Sequence, residues 1–445
     1  MIVVLGGGPA GRTAAITLAL GGREVTLVEK NEIGGQCLHY GCMMVCALNE
    51  AARALTHARH LHALGITDSV PCIRFPTLLS EMKIIQDKIA GILDAETRGA
   101  GVTILYGKEG SVEGGSVFLD GEKTSADAVI VATGSRPAMP DVPGIGIAGV
   151  YTPHTLSQMQ DLPEEMVIIG GGIMATEFAY IFQEFGTRIH LVSRSGLLKN
   201  LDPKLLQLVR KELEGTCIHE HTALVSIERA GGILQVHLRG HESPCEIPCD
   251  AVFVAAGLAP RSEMLAGMEK RGNGEVVVDT RMRTSVRGVY ACGDVTGSPR
   301  LTPVARREGF VAAANILGRD EVMDYAAIPQ CMSLFNEYAF VKTDTSCAVA
   351  ASLPGPAGPG TFWSVPSGGT GFARVSVDPD TGLLCGVESV GPSAGIIAAY
   401  HAFLMKKGIG VDEFETFMEV HPMTDGVYPL MKFMAGKLKE RRPSA

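Results

Sequence analysis

A chain of 445 residues exceeds one ordinary hydrophobic core, so about three domains of roughly 150 residues are expected. A formal net charge of −9, with no concentrated basic stripe, argues against a nucleic-acid partner. The 11 cysteines form an odd set without framework spacing, and no run of about 18 apolar residues occurs, which argues against a disulfide-stapled secreted scaffold and against a membrane span.

The N-terminus runs straight into an apolar strand, Ile2 to Leu5, with no charged leader before it, and a cytoplasmic protein is expected. That strand feeds Gly6-Gly7-Gly8-Pro9-Ala10-Gly11, a Gly-x-Gly-x-x-Gly turn, and then an Ala/Leu-rich helix to Leu20. Gly6 permits the tight turn, Gly8 lets the backbone approach a pyrophosphate, and Gly11 lets helix pack closely on strand. The helix N-terminus then faces the phosphates. The next strand, Glu24 to Glu29, ends in an acid 18 residues after Gly11, where a carboxylate can accept hydrogen bonds from a ribose diol. Strand, turn, helix and acid together predict a dinucleotide site.

Cys37 and Cys42 come next, separated by four residues on a segment predicted to begin a helix. Exposed amides and the positive end of a helix dipole favour thiolate, the form that attacks disulfides. A redox dithiol is therefore one reading. Half of a zinc site and two buried cysteines are the others, and the pair alone does not choose among them.

Val129 to Pro137 closes this first unit as an apolar strand entering a Gly/Pro turn, with Thr133 and Gly134 as candidate cofactor contacts. A second strand, turn and helix begin at Met166 and carry Gly170, Gly172 and Ala175 in a Gly-x-Gly-x-x-Ala pattern, so two dinucleotides are expected. The count of 18 residues from Ala175 reaches Ser193 instead of an acid, with Arg194 next and Lys199 nearby. A 2′-phosphate is repelled by a carboxylate and paired by a guanidinium, so NADPH is preferred over NADH. The plainer reading of Arg194 is a solvated side chain at a strand end. Val252 to Pro260 closes the second unit as the first is closed, with Gly257 as a candidate contact. Gly288 to Asp294 then returns a strand with an acid at its tip, placed to bind a further cofactor hydroxyl. From about Met323 the pattern changes to shorter alternating strands, a Pro/Gly/Ser loop from Leu353 to Gly371 and two helical stretches, a domain without a nucleotide signature.

Over essentially the whole chain these motifs resemble the flavoprotein disulfide reductases, the pyridine nucleotide-disulfide oxidoreductase family that includes dihydrolipoamide dehydrogenase, glutathione reductase and mercuric reductase. The resemblance implies an α/β fold with two Rossmann-like dinucleotide-binding domains, for FAD and NAD(P)H, plus a C-terminal α+β dimerisation domain. The implied FAD domain is discontinuous, 1–143 and 258–322, with 144–257 for NAD(P)H and 323–445 for the dimer interface. Gly6, Gly8, Gly11 and Glu29 match the FAD fingerprint, and Asp294 matches the acid that holds the ribityl chain. Cys37 and Cys42 match the active disulfide, as interchange thiol and flavin-facing thiol respectively. His421, in a His-Pro step near the C-terminus, matches the acid/base that reaches the dithiol of the partner in a homodimer.

The departures are as informative. The family places a Glu five residues after its catalytic His, but position 426 is Gly, with Asp425 one residue short and Tyr428 beyond. It also places a Lys three or four residues after the second cysteine, paired with a Glu that Glu177 retains, but Val45 and Cys46 stand there. Met43-Met44 replaces Ile-Pro, and His39 replaces the Asn between the cysteines. Cys46 shares a helical face with Cys42; it reads either as a third redox thiol or, preferably, as a small residue filling the space of the absent Lys. The expected activity is NADPH-dependent reduction of a small disulfide through FAD and Cys37–Cys42. The alternatives are a flavin-dithiol enzyme with a non-disulfide substrate, resembling 2-ketopropyl coenzyme M carboxylase, a dihydrolipoamide dehydrogenase-like enzyme, and a redox-sensing flavoprotein with weak turnover.

Overall fold

The structure, a computed structural model, describes residues 1–240, 244–297, 299–343, 349–355, 360–418 and 427–441. Two compact units make up the chain. The first comprises Met1–Ala47, Arg74–Gly172 and His221–Asp324, and the second Leu48–Ile73, Ile173–Glu220 and Tyr325–Ala445.

In the first unit, continuous apolar runs make strands buried on both faces, as parallel sheets require. Ile2–Leu5 (β1) is such a run, with every residue buried. It lies in a five-stranded parallel sheet, in the order Val289–Ala291, Ala128–Val131, β1, Val25–Glu29 (β2), Val102–Tyr106 (β3). Ile2 pairs with Val25 on one side and with Ala128 on the other. The strand order therefore reverses at β1, and the crevice beyond the carboxyl ends at such a point is where open α/β sheets hold ligands. The helices of this part are Pro9–Leu20 (α1), Gly35–His39 (α2), Cys42–Ala63 (α3) and Phe75–Gly99 (α4), with α3 passing into the second unit from Leu48. A further helix, Thr302–Ile316, packs on α1 with Gly309 directly over the Ala10 carbonyl, where a methyl would come within 2.2 Å. Val3, Val129, Val131 and Val289 share one core, and each fully buried aliphatic side chain contributes about 1.5–3 kcal/mol.

The same unit contains the parallel strands Glu165–Ile169, Ala251–Val254 and Val150–Tyr151, with Met166 opposite Ala251 and Val252 opposite Val150. An antiparallel sheet of Ala223–Ala230, Ile233–Arg239 and Pro244–Cys249 follows in sequence.

In the second unit, Arg188–Ser193 pairs in parallel with Thr216–Glu220, and the helices Ile173–Phe185 and Pro203–Glu212 accompany them. Its largest sheet is antiparallel, in the order Gln330–Ser333, Glu337–Lys342, Leu384–Gly391, Phe372–Val377, Val349–Pro354. Val341, Val375 and Val387 form its core with Tyr428 and Met431 of the helix Tyr428–Arg441. These short strands with two helices, Ala394–Lys406 and Tyr428–Arg441, are the pattern expected from about Met323. Among the described residues no helix is long and apolar enough to cross a membrane.

Candidate active site

The first glycine turn closes directly after β1. Gly6 holds a φ of +108°, which L side chains avoid, and a methyl on it would lie 2.3 Å from the Ala132 carbonyl oxygen. A methyl on Gly11 would lie 2.0 Å from the Gly6 carbonyl oxygen, so α1 sits hard against the turn. Above Gly8 there is room: the nearest atom to a methyl there would be Gly35 Cα, at 3.9 Å. Pro9 starts α1 at the position where its missing N–H costs nothing, and the free amides that follow meet the requirement for an anion site. The Glu29 carboxylate accepts the Gly7 N–H at 2.6 Å and the Asn31 N–H at 2.8 Å. It stands at the turn with acceptor sites to spare for hydroxyl groups.

Asp294 begins the short 3-10 turn Asp294–Thr296. The preceding Gly293 N–H donates to the buried Glu308 carboxylate at 2.6 Å, which fixes the turn on the helix Thr302–Ile316. The Ser135 hydroxyl donates to Asp294 Oδ2 at 2.6 Å and lies 3.3 Å from Gln36 Oε1. The Thr133 hydroxyl donates to the Arg261 carbonyl at 2.6 Å, and the Gly134 carbonyl accepts the Arg261 N–H at 2.9 Å.

The cysteine segment forms two helices where one helix start is expected. Cys37 lies in α2, which ends at His39 with Tyr40 as its cap, and Cys42 is the first residue of α3. The Gly34 N–H donates to the Gly7 carbonyl at 2.9 Å, and a methyl on Gly35 would lie 2.8 Å from Gly8 Cα, so α2 is tied to the glycine turn. The Cys37 and Cys42 thiols share a hydrogen bond, and Thr302 Oγ1 lies 3.6 Å from Cys42 Sγ. Cys37 is lowered to about 6, chiefly by the bond from Cys42; burial opposes this, while Thr302 and the charge of Arg306 assist it. Cys42 is pushed far up, first by the same bond to Cys37, then by burial and by the neighbouring charge. The pair thus releases one proton readily and resists losing the second.

Val45 is buried and Cys46 is exposed, and Cys46 lies near enough to the dithiol for its charge to act on Cys37. The His39 ring is engaged elsewhere: Nε2 lies 2.9 Å from the Ile33 carbonyl and Nδ1 3.4 Å from the Glu32 carboxylate. The Tyr40 ring stacks on His154 at 4.1 Å, and burial, with the charge of Arg261, lowers His154 to about 4.

A family model described as pyridine nucleotide-disulphide oxidoreductase matches residues 1–309. The chain belongs to this family. It is 28% identical to a dihydrolipoyl dehydrogenase of Chlamydia trachomatis over 442 residues, covering 94% of this chain and 93% of that one. It is 28% identical to a mercuric reductase of Shigella flexneri, covering 98% and 79% respectively. The fold is that of the HOCl-induced flavoprotein disulfide reductase RclA from Escherichia coli, at a TM-score of 0.82, 21% identity and coverage of 99% and 98%. The architecture is therefore two Rossmann-like parts with a C-terminal α+β part, and the chain is an oxidoreductase of this class.

Membership in the pyridine nucleotide-disulphide oxidoreductases implies FAD and NAD(P)H. The first turn fits the former, with an open approach over Gly8, a carboxylate at the ribose position and Asp294 beyond. At the second turn Gly170 holds a φ of +148°, and a methyl on Gly172 would meet nothing within 4 Å. Gly257 likewise has a positive φ, +113°, with open space beside it. Within the second unit Ala175 is fully buried in its helix, and Ser193 is buried and donates to the Gly196 carbonyl at 2.7 Å. Arg194 and Lys199 are exposed. Glu177, whose lysine counterpart is absent, accepts the Ser333 N–H at 2.9 Å.

His421, Asp425 and Gly426 lie outside the described residues. Four residues that no motif singled out belong to the dithiol's surroundings: Gln36, Ser135, Thr302 and Arg306. The usable signal for the last two was Pro303, an N-terminal helix residue shortly after Asp294.

Proposed function

We propose that the protein is an NADPH-dependent, FAD-containing reductase of a small disulfide, with Cys37 and Cys42 as its redox dithiol. The single observation that carries this reading is the dithiol itself, two hydrogen-bonded thiols anchored to the FAD-type turn through Gly34 and Gly35, with Cys37 lowered to about 6. In this reading residues 1–143 and 258–322 bind FAD, 144–257 bind the pyridine nucleotide and 323–445 form a homodimer interface. Gly6, Gly8, Gly11, Glu29, Thr133, Gly134 and Asp294 hold FAD. Gly170, Gly172, Ala175, Arg194 and Gly257 hold NADPH, with Arg194 paired to the 2′-phosphate. When bound, FAD relays the reducing equivalents of NADPH to the dithiol.

The remaining steps belong to the protein's own side chains. The Cys37 thiolate attacks one sulfur of the substrate, forming a mixed disulfide and breaking the substrate S–S bond, and His421 of the partner subunit gives a proton to the departing thiolate. His421 of the partner subunit then takes the Cys42 proton, Cys42 displaces the second substrate thiolate from Cys37 and closes the Cys37–Cys42 disulfide, and the same proton passes from His421 of the partner subunit to that thiolate. Two electrons leave the dithiol and two thiols leave the site.

A second reading, in which the same flavin and dithiol act on a non-disulfide substrate, is favoured by Val45 and Cys46, which leave no lysine after the second cysteine. One experiment decides between them. The purified holoprotein is titrated anaerobically with NADPH and with NADH, then supplied with a panel of disulfides. Steady NADPH oxidation with at least one disulfide, lost in Cys37→Ser, is the expected result. NADPH oxidation that no disulfide sustains would favour the second reading.

A further inference from the structure

The helix Thr302–Ile316 starts against the dithiol, with Thr302 Oγ1 lying 3.6 Å from Cys42 Sγ. Residues four apart on a helix share a face, so Arg306 stands one turn further along on the side that Thr302 presents to the thiols. The core face of this helix is a different one, carrying Val304, Ala305, Glu308 and Val311. Arg306 is exposed and has no ion-pair or hydrogen-bond partner among the described residues. Its neighbours do: Arg307 pairs with Glu321 at 2.8 Å, and Arg300 pairs with Glu275 at 2.5 Å. An unpaired guanidinium therefore stands one helical turn from the threonine that reaches the dithiol.

No other group in the immediate segment fills this role. Val45 and Cys46 bring no cation, and both His39 ring nitrogens are occupied by Ile33 and Glu32. We propose that Arg306 is the positioning cation of the dithiol, whose charge holds Cys37 as the attacking thiolate. Cys37 feels this charge in the structure, in the direction that favours thiolate. The assignment rests on the reading of Cys37 as the attacking thiol. Because Arg306 is exposed, its field is partly screened, and one charge at this range changes the thiolate population below the midpoint by about three- to tenfold.

The test follows the thiol and not turnover. The holoprotein, reduced with a phosphine, is alkylated with iodoacetamide from about pH 4.5 to 9, and modification of Cys37 is quantified by site-resolved mass spectrometry, with exposed Cys217 as internal reference. Arg306→Ala is expected to slow Cys37 alkylation about three- to tenfold near pH 5.5 and to move its midpoint upward. Arg306→Lys restores the profile, and Arg306→Glu slows it further. The difference between Arg306→Ala and the unmutated protein shrinks in about 1 M salt, while Cys217 and flavin content stay constant. A midpoint unmoved in Arg306→Ala, or an Arg306→Lys profile as impaired as that of Arg306→Ala, overturns the proposal. Failure of the functional reading shows differently: Cys37→Ser would then still reduce disulfides with NADPH, whatever the alkylation profiles.

Discussion

The two glycine turns begin alike and end differently. Each follows an apolar strand of a parallel sheet, and Gly6 and Gly170 both hold positive φ, at +108° and +148°. Past that point the first turn is fixed by packing and charge: Gly11 sits against the Gly6 carbonyl, Gly35 packs at the edge of Gly8, and Glu29 accepts the Gly7 N–H. The second carries Ala175 where the first has Gly11, leaves open space at Gly172, and has Ser193 bonded to Gly196 where the first has its acid. One backbone device can thus serve two dinucleotides. What distinguishes them is the residue at the end of the next strand and what leans on the turn.

The largest effect sets the third position of the first turn, Gly11, against the second position of the other, Gly172. Gly11→Ala puts a methyl 2.0 Å from a backbone oxygen that cannot swing away. We expect a loss of about 3 kcal/mol or more and a protein purified without flavin. Gly172→Ala meets no protein atom within 4 Å, so it keeps its stability and its flavin while its methyl obstructs the pyrophosphate. Thermal unfolding and the flavin-to-protein absorbance ratio check both. A yellow, stable Gly11→Ala protein would remove the structural distinction between the turns.

Next in size is the acid/base proposed for the dithiol, His421. His421→Ala is expected to slow reoxidation of the dithiol by disulfide about 10²-fold, the low end of general acid–base effects, since the usual orienting Glu is replaced by Gly426. Reduction of FAD by NADPH should be nearly unchanged. Stopped-flow absorbance separates the two half-reactions, and Asp425→Asn tests whether that carboxylate orients the ring. Equal disulfide turnover in His421→Ala would place the proton transfer on another group, and His39, bonded to Ile33 and Glu32, is poorly placed to supply it.

Much of this was legible in the residues because the relevant physics is local. Val3 to Leu5 announces a doubly buried strand, Gly6 a positive φ, and Glu29 falls at the turn by counting. The strand-rich C-terminal part with its two helices was legible from changed periodicity. The break between α2 and α3 was not: it falls at Tyr40, whose φ of −137° leaves the helical range, while the start of α2 depends on Gly34 and Gly35 packing on Gly7 and Gly8. Thr302 and Arg306 were hidden for the same reason: some 260 residues separate them from the cysteines they serve, and no spacing rule spans that distance.

A smaller effect sharpens the contrast at the ribose end. Arg194→Ala should weaken NADPH binding by roughly 1.5–3 kcal/mol if its guanidinium pairs with the 2′-phosphate, and leave NADH almost unaffected. Ser193 cannot compensate, since its hydroxyl is committed to Gly196. Dissociation constants from anaerobic titration decide this. Equal affinity for both nucleotides in the unmutated protein would mean that Arg194 is only a solvated strand end.

The smallest effect concerns Thr302, the other side chain that favours thiolate. Its oxygen lies 3.6 Å from Cys42 Sγ, a long hydrogen bond to sulfur, so its loss should cost little. The sign follows from the titration. Cys37 is lowered from an ordinary thiol value to about 6, so thiolate persists as pH falls and is lost only as pH drops through about 6. Thr302→Val removes a donor that stabilises the charged form, which raises that midpoint and narrows the pH range of fast attack from its acidic side. We expect about a threefold slower alkylation of Cys37 near pH 5.5, no change above about pH 8, and, unlike the Arg306 variants, little dependence on salt, because a contact bond is screened far less than a charge acting through solvent. A salt-sensitive loss in Thr302→Val would indicate that the substitution displaces Arg306, and the two contributions would then have to be separated by the double variant.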